Sequence, residues 1–359
     1  MTTDAYRQII DAAPRDRLDL FLTTANRLGT PVGNIEKDFW VCWTLNALYH
    51  RLPAGGPRLL FKGGTSLSKA YGLIQRFSED IDVTVFRDDL DQAASVEQLQ
   101  MLSKKQRRAK LDAIRDACRS YITGPLKESL SAALADDTHG SGRIEVDGND
   151  PDGQTLLVWY PEIEPRDDAY VPPAVRIESG AKSALDPNQP ALVRPYIGGA
   201  VPNLDLSVPN VTTIEGGRTF WDKVVIAHGL RRWYERRGEL RQEGQRISRH
   251  YYDLHCLLNT EVGRTAVSNH ELAADCVRHA RMFFDRPDYD LASAEPGTFA
   301  IAPTGGMIDA LKRDYGNTTA MIFGKPPTFD DLLESARALE VAINNLHPTE
   351  DASKRKELH

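Results

Sequence analysis

The sequence has no apolar run long enough to span a bilayer, which excludes a membrane-spanning helix. It has only four cysteines, Cys42, Cys118, Cys256 and Cys276, all far apart and none in a C-x-x-C pair. That excludes a zinc ribbon or a disulfide framework and suits reduced intracellular thiols. The N-terminus carries early acids and no apolar h-region, so no secretory signal is expected, and the protein is expected to be cytoplasmic. Excess positive charge is absent too: the net charge is −7, so no global basic field draws the chain to nucleic acid or membrane. A nucleic-acid partner would need a local basic patch. Neither an internal repeat nor a low-complexity tract is present. His250 and His255 lie five apart, too far round a helix to share a metal as an i, i+4 pair does. What is there is ordinary for a globular protein: 359 residues, 41% hydrophobic and 26% charged, enough for one large domain or two or three smaller ones.

The informative stretch is residues 58–86. A short apolar run, Leu59 to Phe61, precedes Gly63-Gly64-Thr65-Ser66, and Leu67 to Ile74 reads as a helix. Residues 76–85 read as a strand. Ile81, Val83 and Val85 alternate with Asp80 and Asp82, so both carboxylates lie on one strand face. Like charges so close repel unless a cation sits between them, and Mg²⁺ suits such oxygen ligands while keeping waters or phosphates. Glycines and hydroxyls ahead of a helix can offer backbone N–H groups to a phosphate. Acid pair and phosphate turn together point to phosphoryl or nucleotidyl transfer.

The stretch resembles the DNA polymerase β-like nucleotidyltransferase signature, and in particular the AbiEii/AbiGii toxin family. That family's hallmark, GGT-x-L followed by R-x-S-x-D-I-D, is matched by Gly63, Gly64, Thr65, Leu67, Arg76, Ser78, Asp80, Ile81 and Asp82. Further strings match: Glu36-Lys37-Asp38-Phe39, Arg218-Thr219-Phe220-Trp221-Asp222-Lys223 with His228 after it, and Arg249 to Leu254. The resemblance implies an α/β fold: a polymerase β-like core with a small mixed sheet, plus a mostly helical C-terminal lobe. Domain limits of 1–213 and 214–359 are expected, because the Pro- and Asn-rich stretch 186–213 reads as a long connection. The resemblance also implies a toxin of a bacterial type IV toxin–antitoxin, phage-defence pair with a separately encoded antitoxin, and NTP as substrate. Some relatives extend the 3′ end of tRNA.

On this reading Asp80 and Asp82 hold Mg²⁺. Gly63, Gly64, Thr65 and Ser66 cradle phosphates, and Arg76 and Ser78 fix the strand end or touch phosphate. Superfamily members carry a third acid on a later strand. Glu178, on a strand expected over Val171 to Glu178, is placed for that role or is a surface glutamate on an edge strand. Lys223 shares an apolar helix face with Phe220, Ala227 and Leu230, where a lysine needs a partner; the resemblance gives it the nucleotide's phosphates. Asp253 pairs with Lys223, contacts base or ribose, or forms a helix salt bridge with Arg249, which is itself a nucleotide-binding candidate.

The charges at 36–38 are expected to cap and solvate the start of a helix over 34–51, with Asn34 as its cap. A helix is also expected at 4–29, broken near Pro14, and a long one at 96–122. The latter carries Lys104, Lys105, Arg107, Arg108 and Lys110, a run that either tracks RNA phosphates or is a solvated face. Residues 136–153 read as hairpin loops, Thr155 to Tyr160 as a strand, and 269–346 as helices. The function expected is transfer of a nucleotide from NTP to an RNA acceptor, the tRNA 3′ end. Transfer to a protein hydroxyl and a non-catalytic nucleotide or RNA sensor are the alternatives.

Overall fold

The computed structural model describes residues 2–163, 173–241 and 246–345. The expected strand start at Val171 and the polar tail from Pro348 lie outside the described residues. The chain divides into two compact units, Met1–Thr219 with Met321–Pro326, and Phe220–Ala320 with Pro327–His359.

In the first unit, helices α1 (Thr2–Ile10) and α2 (Pro14–Leu28) are separated at Pro14, which opens α2 because its missing N–H costs nothing in a first turn. Helix α3 (Val32–His50) is buried on nearly every side. Its cap is Pro31 rather than Asn34, which sits inside the helix and donates its side-chain amide to the Thr30 hydroxyl at 2.9 Å. Strand β1 (Leu59–Lys62) runs directly into α4 (Gly63–Lys69). The expected glycine turn is thus the first turn of a short helix that ends before Ile74. Strand β2 (Asp80–Val85) starts four residues later than expected, because Arg76 makes only an isolated bridge to Ile322.

The long helix over 96–122 is two helices, α5 (Val96–Gln100) and α6 (Lys104–Tyr121). Ser103 stops one and caps the other through a capping box with Gln106. Helix α7 (Lys127–Asp137) follows, and then β3 (Arg143–Val146), a strand within a stretch expected to be loop. Strands β4 (Thr155–Trp159) and β5 (Ala174–Gly180) come next. The expected connection 186–213 in fact holds β6 (Asn188–Val193) and most of β7 (Val208–Ile214). Its prolines do not mark a loop, because β6 is an edge strand, where Pro190 is tolerated.

The seven strands form one mixed sheet in the order β3-β4-β5-β2-β1-β7-β6. The pairs β2–β5 and β1–β7 are parallel and the others antiparallel. Helix α3 packs across β5 and β7, with α1, α2 and α7 also against it. Trp40 stacks on Tyr160 at 5.3 Å between ring centres, and the Trp43 indole N–H donates to Asp137 at 2.8 Å.

The second unit is helical. It takes most of α8 (Gly216–Arg237), then α9 (Arg249–Leu258), α10 (Glu261–Ser268), α11 (His270–Phe283), α12 (Gly306–Thr319) and α13 (Phe329–Asn344). Helix α9 is packed against α10 and α13. Its N-terminus is capped from α12, where buried Asp314 accepts the Ser248 backbone N–H at 2.7 Å. No described helix is long and apolar enough to cross a membrane.

Candidate active site

Strand β2 carries the acids as its alternation requires. Ile81, Val83 and Val85 are fully buried, while Asp80 and Asp82 are half-exposed on the other face. The register sets their neighbours. Asp82 lies between Lys62 of β1 and Glu178 of β5, and Asp80 lies beside Arg176. Register partners share a face, so Lys62, Asp82 and Glu178 form one row and Asp80 and Arg176 the next. Glu178 stands 3.4 Å from Arg176, which also pairs with Asp147 at 3.0 Å. Lys62 and Arg176 were not singled out from the sequence. Lys62 was legible as the residue before the glycines, but Arg176 takes meaning only from the strand pairing.

The two glycines are required by packing. Gly63 has φ +77°, and a Cβ there would lie 1.9 Å from an Asp82 carboxylate oxygen. A Cβ on Gly64 would lie 2.3 Å from the guanidinium of Arg76, itself buried. Arg76 and Ser78 therefore sit under the start of α4 and fix the entry to β2. The Thr65 and Ser66 side chains are buried and turned inward. The Thr65 hydroxyl reaches the Ser78 hydroxyl at 2.7 Å and the Asp80 carbonyl, and the Ser66 hydroxyl donates to the Gly63 carbonyl at 2.9 Å. A phosphate at this helix start would meet backbone N–H groups, not these hydroxyls.

The charges at the start of α3 are not solvated, which corrects the sequence expectation. Glu36, Lys37 and Asp38 are all buried. Lys37 pairs with Glu79 at 2.8 Å. Glu36 accepts the Ile163 backbone N–H at 2.9 Å. Asp38 accepts the Tyr196 backbone N–H at 2.7 Å and forms an ion pair with Lys69 at the end of α4. The Lys69 ammonium also lies 3.5 Å from the centre of the Tyr196 ring. Burial works against the charge on Lys69, but Asp38 outweighs it and the pKa of Lys69 is raised. Burial pushes the Tyr196 phenol up to about 12.

In the second unit Lys223 pairs with Asp253 at 2.7 Å, with the Asp253 side chain wholly buried. This contact joins α8 to α9. Arg249, one turn before Asp253, makes no ion pair among the described residues. His228, two turns after Phe220, is a structural ring: its Nδ1 accepts the Ala300 N–H at 3.1 Å and its Nε2 faces the Asp290 carbonyl at 3.2 Å. Burial lowers its pKa, which suits the neutral form these bonds require.

Five basic residues open α6. Lys104, Lys105 and Arg108 are exposed, Arg107 and Lys110 half-buried. Lys110 donates to Gln92 at 3.1 Å and Arg108 reaches Asp112 at 4.0 Å.

No group of three or more His, Cys, Asp or Glu side chains stands together as a metal site among the described residues. The donor set still fits Mg²⁺, which binds through one or two carboxylates and completes its shell with water and substrate phosphates.

An acid pair thus lies on one face of a mixed sheet, beside a helix started by two glycines. The model of the nucleotidyl transferase AbiEii toxin family, of type IV toxin–antitoxin systems, matches residues 46–335, and the chain belongs to that family. Membership makes it a nucleotidyltransferase toxin with a nucleotide substrate and an antitoxin partner. No curated protein matches the chain in sequence. Among solved structures it is similar to MenT4, a nucleotidyltransferase toxin from Mycobacterium tuberculosis H37Rv, at 16% identity and TM-score 0.47, over 91% of this chain and 90% of that one.

Proposed function

We propose that this toxin transfers a nucleotide from a Mg²⁺-bound NTP to an RNA acceptor, the 3′ end of a tRNA, in the cytoplasm. The observation that carries the reading is the half-exposed pair Asp80 and Asp82 on one face of β2, against Gly63. An acceptor hydroxyl attacks the α-phosphorus of the NTP. The new bond runs from acceptor oxygen to α-phosphorus, the bond to the bridging oxygen breaks, and pyrophosphate leaves. The protein's part is placement and charge. Asp80 and Asp82 would hold the metal, which supplies charge neutralisation at the phosphates. Glu178, in the same row as Asp82, is placed to take the proton of the attacking hydroxyl. Backbone N–H groups from Gly63 to Ser66, with Lys62 beside Asp82, meet the outer phosphates. Within the second unit, Lys223, held by Asp253, and Arg249 are the candidates for nucleotide contact.

The cations Lys104, Lys105 and Arg108, exposed at the start of α6, favour RNA over a protein acceptor, because clustered exposed cations suit a phosphate backbone. The test is incubation with each labelled NTP and Mg²⁺ together with total tRNA or total protein. Label on RNA, lost in Asp80→Ala and in Asp82→Ala, is the expected result. Label on protein alone would overturn the acceptor, and undiminished transfer by Asp80→Ala would overturn the metal acids.

A further inference from the structure

Three successive residues at the entry to β2 are each held by a buried side chain. Ser78 and the Asp80 carbonyl are held by the Thr65 hydroxyl, and Glu79 by Lys37 at 2.8 Å. Glu79 directly precedes β2, so Lys37 fixes the chain one residue ahead of Asp80. Thr65 belongs to α4, and α4 ends at Lys69, which is paired with Asp38, the neighbour of Lys37. The contacts close a ring: Lys37, Glu79, Asp80, Thr65, Lys69, Asp38 and back along α3 to Lys37. Both ion pairs of the ring are buried; the side chains of Lys37, Lys69 and Asp38 are each 3% exposed and that of Glu79 13%.

Apolar side chains of similar volume commonly hold a fold as well as a buried ion pair does, so stability does not account for two of them side by side. An ion pair differs from an apolar contact in fixing direction and separation. That matters at Asp80, because two carboxylates on one strand face repel and relax apart unless their backbone is held. We propose that this ring sets the position of Asp80 for its metal, and that Lys37 and Glu79 are positioning residues of the nucleotidyl transfer. The inference rests on the metal role proposed above for Asp80 and Asp82.

The test measures Mn²⁺ bound by the full-length protein in the presence of a non-hydrolysable NTP analogue, reading free Mn²⁺ by electron paramagnetic resonance. Wild type, Asp80→Ala, Lys37→Met with Glu79→Met, and Lys37→Arg are compared, with melting temperatures alongside. The double variant replaces the pair by apolar groups, so it should melt within a few degrees of wild type yet bind Mn²⁺ about 10- to 100-fold more weakly, the usual cost of removing an outer-shell partner. Lys37→Arg keeps the charge and the fold but changes the reach, and should fall at the lower end of that range. It decides the matter alone if the double variant fails to fold. Wild-type Mn²⁺ affinity in the variants that fold would overturn the positioning role while leaving the function intact. If wild type itself has no Mn²⁺ site sensitive to Asp80→Ala, the metal role fails and the positioning inference fails with it.

Discussion

Helices α3 and α6 both begin with a run of charge, and the two runs have opposite fates. Glu36, Lys37 and Asp38 are buried and matched to Ile163, to Glu79 just before β2, and to Lys69 of α4 and the Tyr196 backbone. Lys104, Lys105 and Arg108 stand in solvent with a single long approach to Asp112. Charge in sequence is therefore no guide to exposure. What separates the runs is the company each keeps: α3 flanks its charges with Ile35, Phe39 and Trp40, all buried, whereas α6 brings no large apolar side chain until Leu111. A charge among large apolar neighbours is carried inward with them and must find a partner there.

The comparison breaks most sharply at Asp38. Asp38→Ala leaves Lys69 buried without its carboxylate and should cost roughly 3–5 kcal/mol of stability by urea unfolding, the usual penalty for orphaning a buried charge. A loss below about 1 kcal/mol would put α3 in the same category as α6. The second unit supplies a parallel case. Lys223→Met takes the ammonium away from the buried Asp253 and should cost about 3 kcal/mol or more, and adding Asp253→Leu should restore part of it. If the double variant is no better than the single, the penalty is lost packing and not the orphaned carboxylate.

A smaller effect is expected at Gly64, where the buried partner is a guanidinium. Gly64→Ala drives a methyl into Arg76 and should cost about 1–3 kcal/mol, with circular dichroism melts as the readout. The smallest is on the exposed side. Changing Lys104, Lys105 and Arg108 together to Gln should move stability by no more than about 0.5 kcal/mol. The same change should weaken all RNA acceptors alike and flatten the log–log salt dependence by roughly 0.7–0.9 for each phosphate no longer neutralised. Transfer to tRNA against salt, wild type beside the variant, gives the slope. Equal slopes would mean that this turn touches no RNA.

The elements that the sequence made legible are those whose pattern is local. Asp80 and Asp82 against Ile81, Val83 and Val85 gave the strand and its two faces, and Pro14 gave the break between α1 and α2. Strands β6 and β7 escaped because an edge strand with prolines reads as a connection until its neighbour is known. Around the site, spacing alone favours Arg249 at i−4 as the partner of Asp253 over Lys223 thirty residues earlier, yet the structure pairs Asp253 with Lys223 at 2.7 Å. The burial of Glu36, Lys37 and Asp38 was hidden for the same reason, since Glu79, Lys69, Ile163 and Tyr196 all come from distant parts of the chain.

Residues Met321–Pro326 belong to the first unit although the chain on both sides of them belongs to the second. There Ile322 bridges Arg76, the Met321 carbonyl accepts the Phe77 N–H at 2.7 Å, and the Phe323 ring meets Tyr196 edge-on. The polypeptide therefore changes unit three times, and no single cut releases the first unit whole. A fragment ending at Thr219 would expose the backbone of Gln75 to Phe77 directly ahead of the acids. Truncation that treats the sheet as a portable cassette would leave the approach to β2 without the strap that now pins it.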